Sequence, residues 1–122
     1  MKCLKKKIRS MGLENLSAVD AVGIETESDC VVLSIIDSWD WSDERSHLLA
    51  LQGKLNSYFG FVESGQIYDT YPSSAGKSLC IDLVSRYPLP TTALDFLYKA
   101  KVVSEELAIS LRWNTLHAGT VA

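Results

Sequence analysis

The residues best equipped for chemistry gather where Asp37, Asp40 and Asp43 recur at three-residue spacing around Trp39 and Trp41. Carboxylates so spaced suit a bound cation or general acid–base work. Beside tryptophans they also suit recognition of a basic partner. The plainer structural alternative is a helix start followed by tryptophans that fill a strand–helix junction. The remaining chemistry is sparse. His47 and His117 are the two histidines, and neither sits in an HExxH, HxH or Cys/His pattern. Cys3, Cys30 and Cys80 are odd in number and contain no CxxC, so they build neither a disulfide framework nor a zinc site. Gly76-Lys77-Ser78 imitates the end of a phosphate-binding loop, but Tyr71 stands where that loop needs its first glycine. No catalytic residue, metal ligand or cofactor is expected.

The elements that must position these residues can be read from periodicity. Val19–Ile24 and Cys30–Ile36 flank the polar cluster 25–29 and predict a β-hairpin, with the nearly all-apolar second run central in the sheet. Ser42 is the expected N-cap of a helix of about 20 residues, with Asp43 and Glu44 at its positive end. Leu48, Leu51, Leu55, Tyr58, Phe59 and Val62 form its apolar stripe, and the helix should end near Ser64-Gly65. Gly53 and Gly60 inside it suggest close approach of another element. Residues 66–71 read as a short strand and Leu79–Tyr87 as a longer one, before Pro88 and Pro90. A second helix, capped by Thr91 or Thr92, carries Phe96, Ala100, Val103 and Leu107 as its buried stripe, with Leu94 and Leu97 widening it. Ala108–Asn114 is the last strand.

The expectation is an α+β two-layer sandwich. Two helices pack on one face of an antiparallel or mixed sheet of four to five strands, in the order β-β-α-β-β-α-β. Without its first strand that order is ferredoxin-like. There is a conflict, because in that fold the strand before the first helix is already paired on both sides and leaves no edge for a hairpin partner. Residues 1–16 are expected to be a disordered basic extension, 17–117 a single domain, and 118–122 a frayed tail. Residues 1–10 lack the apolar stretch of a signal peptide, and no run of about 18 apolar residues is present. A cytoplasmic protein without a membrane partner follows as the expectation.

Several runs carry a resemblance. They are residues 18–24, 32–37 and Trp39-Asp40-Trp41, then 47–56 and 61–66, with Tyr71-Pro72 and Arg86-Tyr87-Pro88. Together they resemble a small bacterial family classed as a domain of unknown function, over about residues 17–113. The resemblance implies a bacterial cytosolic domain and transfers no catalytic residue.

Charge supplies the functional expectation. The formal net charge is −3. Residues 11–122 hold 7 cations against 15 carboxylates, a net of −8, and residues 11–69 alone hold −9. Arg86 and Arg112 are the strand arginines, and carboxylates rather than cations accompany the aromatics, which argues against nucleic acid. The expected function is a non-enzymatic acidic domain that binds a basic protein, as an immunity protein neutralising a cationic bacterial toxin would. The expected contact set is Asp37, Trp39, Asp40, Asp43 and Glu44, with Glu25, Glu27 and Asp29 from the hairpin turn. A small-molecule or enzymatic pocket near Trp39 and Trp41 is the alternative, and a homodimer through the sheet is a further one.

Overall fold

The computed structural model describes residue 13 and residues 19–116. The extension expected at 1–16, residue 13 apart, and the tail expected from 118 lie outside the described residues. Eight elements follow one another: β1 (Ala21–Glu25), β2 (Cys30–Asp37), α1 (Glu44–Glu63), α2 (Gln66–Thr70), a 3₁₀ turn (Pro72–Ser74), β3 (Ser78–Ser85), α3 (Thr91–Glu106) and β4 (Ile109–Thr115).

The four strands form one sheet in the order β1-β2-β3-β4. β1 and β2 make the expected antiparallel hairpin, with Glu25 opposite Cys30. β2–β3 and β3–β4 pair in parallel, because each connection carries the chain back through a helix to the same end of the sheet. The fold is therefore α+β with a mixed sheet. The ferredoxin-like order is corrected, and the conflict disappears: β2 is central, with β1 on one side and β3 on the other.

The strand expected at residues 66–71 is the short helix α2, so the described residues hold three α-helices, one more than the two expected. Its β-prone residues were overridden by their surroundings. Gly65 takes φ +81° and turns the chain out of α1. Ile67 then drops into the core at 0 % exposure, and Tyr71 N–H closes the turn on the Ile67 carbonyl at 2.7 Å.

Alternation sends Val31, Leu33, Ile35, Leu79, Ile81, Leu83, Ile109 and Leu111 to one sheet face, where Leu51, Leu55 and Tyr58 of α1 and Leu97 of α3 cover them. The expected stripe of α3 holds in part: Leu97 is fully buried, and Phe96, Ala100 and Leu107 are half-buried against the core. Ala93, Leu97 and Ser104 are buried, whereas Val103 is 46 % exposed. Small residues allow the helix to lie close on the sheet, and the Ser104 hydroxyl donates to the Ile109 carbonyl at 2.6 Å. No side-chain cap starts α3, since Pro90 rather than a threonine holds that position.

The opposite sheet face carries a separate small cluster of Cys30, Val32 and Cys80. Arg112 on β4 reaches Glu25 on β1, across the whole sheet, and also lies 3.7 Å from Asp82. Its side chain thus straps the face above the two thiols. Burial raises the pKa of Cys30 and pushes that of Cys80 up to about 11, so both behave as small hydrophobes, as their apolar strands suggested.

Candidate functional site

The parallel strands end together, and the loops after β2 and β3 meet there. Arg86 N–H donates to the Asp37 carbonyl at 2.8 Å, tying the two loops at their roots. The Ser85 hydroxyl donates to the Tyr87 carbonyl, which folds the second loop back over the edge. Between the loops and the start of α1 lies a cleft of about 380 Å³, lined among others by Trp39, Asp40, Asp43, His47 and Tyr87. In sheets of parallel strands, the carboxyl-end edge is where ligands commonly bind.

His47 forms the back of this cleft and is 1 % exposed. Its Nε2 lies 2.6 Å from Asp37 Oδ2, and its Nδ1 lies 2.9 Å from the Asp40 carbonyl oxygen. Both neighbours are acceptors. They are satisfied together only by an imidazolium, or by a neutral ring with the extra proton on Asp37. Either way, both ring nitrogens are engaged, and neither is left to serve as a base or a metal ligand. Trp41 stacks on the imidazole with ring centroids 3.5 Å apart and planes at 13°, and Trp39 tilts against it at 5.5 Å. The tryptophans therefore brace the strand–helix junction through His47.

The expected contact residues separate into groups. Asp37 is 1 % exposed and bonded to His47 and to Trp39 N–H, so it belongs to the interior and not to a contact surface. Trp39, Asp40 and Asp43 come together in the lining of the cleft, whereas Glu44, the first residue of α1, is outside it. Asp43 rather than Ser42 caps α1, accepting from Ser46 N–H at 3.2 Å. Asp40 Oδ1 accepts from both Ser42 N–H and the Ser42 hydroxyl. These serine hydrogen bonds hold the Asp40 and Asp43 carboxyls below the usual aspartate pKa. Glu44 Oε1 accepts from the Thr92 hydroxyl at the start of α3.

The hairpin-turn set is elsewhere. Glu25, Glu27 and Asp29 lie at the opposite end of β2, roughly 23 Å away at ~3.3 Å per residue. Two of the three are already paired: Glu25 with Arg112, and Asp29 with Lys77 at 2.8 Å. They do not share a surface with the cleft.

A second buried ionic group supports the site from below. Lys54, at 0 % exposure, donates to Asp20 Oδ1 at 2.8 Å, and Asp20 Oδ2 accepts from Ile36 N–H. The Tyr58 hydroxyl accepts from Asp20 N–H and donates to the Ser34 carbonyl at 2.6 Å. Desolvation raises the Tyr58 pKa. This group fixes the entry of β1 against the last residues of β2. The stripe drawn from leucines omits both His47 and Lys54, although they share helical spacing with Leu51 and Tyr58. Polar residues in phase with a buried stripe were the available signal.

Among the described residues, no group of three or more His, Cys, Asp or Glu is placed to hold a metal ion, and no helix is long and apolar enough to cross a membrane. A family model matches residues 11–117. The chain belongs to DUF6572, a family of unknown function. That agrees with the resemblance seen in the sequence, and the matched span carries every strand and helix of the described residues and the cleft of this DUF6572 domain. No curated protein and no solved structure matches the chain.

Proposed function

We propose that this protein is a non-enzymatic binding domain that docks a basic protein at the carboxyl-end cleft. Neutralising a cationic toxin in the bacterial cytosol is the role that suits its size and charge. One observation carries this reading. The exposed carboxylates of Asp40 and Asp43 line a cleft walled by half-buried Trp39 and by Tyr87, and neither forms an ion pair among the described residues. Aromatic walls supply contact area, while unpaired rim charges speed association and select partners. The full engagement of His47 supports binding over catalysis, because the one imidazole at the cleft has no nitrogen to spare.

The test uses a fluorescent peptide of alternating arginine, lysine and glycine. Asp40→Lys/Asp43→Lys should weaken its binding at low salt by about tenfold or more, whereas Glu27→Lys at the far end should leave it unchanged. Equal binding by the wild type and the cleft variant would show that the docking surface lies elsewhere.

A further inference from the structure

The sheet face turned away from α1 and α3 carries a pair of metal-ligating side chains that the cleft does not use. Cys30 on β2 stands opposite Ser78, and Cys80 on β3 stands between Val32 and Ser110, so the two cysteines are diagonal neighbours on adjacent strands. The Cys30 thiol donates to the Val31 carbonyl at 3.6 Å and lies within hydrogen-bonding reach of the Cys80 thiol. Small residues surround the pair. Gly23 of β1, opposite Val32, has open space where a Cβ would be, and Ser78 and Ser110 are exposed. The strap of Arg112, held by Glu25 and Asp82, lies above them.

We propose that Cys30 and Cys80 form a two-coordinate site for a soft monovalent cation of the copper(I) class, bound by both thiolates. Length separates this bridge from a direct bond. Strands ~4.8 Å apart and an offset of two residues place the Cα atoms roughly 8 Å apart, beyond the ~6.8 Å that a disulfide ordinarily spans. Two metal–sulfur bonds in line, each taken at the ~2.3 Å of zinc–sulfur, set the sulfurs roughly 4.6 Å apart. Thiols already in contact reach that spacing by a small side-chain rotation. Thiolate softness selects copper(I). Structural zinc asks for four ligands, and among the described residues no three His, Cys, Asp or Glu are grouped to hold a metal. Binding exchanges both thiol protons for the monovalent ion and leaves a single negative charge on the complex. Burial disfavours the thiolates, and the Arg112 guanidinium acts against it, so the counter-charge is already in place.

The experiment titrates the full chain, reduced and under anaerobic conditions, with copper(I) supplied on a chromogenic chelator. The wild type should withdraw a single copper ion per chain, with sulfur-to-copper absorption appearing in the ultraviolet. Cys30→Ala and Cys80→Ala should each abolish both signals, while Cys3→Ala should change neither. Amide NMR spectra report whether each variant keeps the fold, and Cys30→Ser and Cys80→Ser replace an alanine variant that does not. Failure of the wild type to withdraw copper overturns the proposal. So does retention by a folded Cys30 or Cys80 variant at the wild-type level, and so does loss of copper in Cys3→Ala.

Discussion

Lys54 illustrates what a single residue does in this fold. Its ammonium is wholly enclosed, and it meets a carboxylate that is itself 2 % exposed. Attraction between two such charges roughly offsets the cost of removing them from water, so the pair adds little net stability while intact. Breaking it is another matter. Lys54→Met should leave Asp20 buried without its cation and lower stability by about 3–5 kcal/mol, measured by denaturant unfolding. Adding Asp20→Asn should recover much of the loss, because the amide oxygen can still accept from Ile36 N–H. The pairing was unreadable in the sequence because Asp20 and Lys54 are 34 positions apart. The helical phase of residues 47, 51, 54 and 58 was readable. Only the folded chain shows which carboxylates come to meet those two polar positions.

Among the elements, α1 and its exit separate two uses of glycine. Gly60 was expected to admit a close neighbour, yet a Cβ there would meet nothing within 4 Å. Gly60→Ala should therefore raise stability by about 0.5–1 kcal/mol through helix propensity alone. Gly65 is different, because its φ of +81° is the left-handed turn that separates α1 from α2. Gly65→Ala should cost about 1–2 kcal/mol, and thermal melts of the two variants should move in opposite directions. Strand positions were well marked by alternation, and the central place of β2 by its nearly continuous apolar run. The face of α3 was marked only in part: Leu97 lay within the expected stripe, but hydrophobicity favoured Val103 while packing selected Ala93 and Ser104. Close seating on a sheet rewards small side chains, which periodicity weighted by apolar bulk undervalues.

Over the whole molecule, the acidity concentrated in residues 11–69 is partly internal. Asp20 and Asp37 are buried with Lys54 and His47, and Glu25 and Asp29 are matched by cations from the second half of the chain. The charge asymmetry seen in the sequence is therefore partly a record of pairing between the halves. What stays unpaired at one edge is the cleft rim. Because the Asp40 and Asp43 pKa values are lowered in the folded chain, their ionised forms persist as pH falls toward the usual aspartate value of 3.8 and are lost only below it. Any stability these groups contribute follows the same course: present above the unfolded value, lost on passing through the folded one. Affinity for the basic peptide should accordingly hold from pH 7 to about pH 5. It should collapse with a midpoint under 3.8, read by anisotropy across the titration.

The strands lie side by side in the order in which they occur in the chain, and no later strand inserts between two earlier ones. During synthesis from the amino terminus, each strand leaving the ribosome finds its neighbour already laid down. With this order, adding β3 and then β4 to the hairpin extends it by one edge each, and no completed pairing has to reopen. Arg112, 87 positions from Glu25, fastens the last strand to the first once the sheet is full. The strap over the two thiols thus joins the edge strand that leaves the ribosome first to the one that leaves it last among the four.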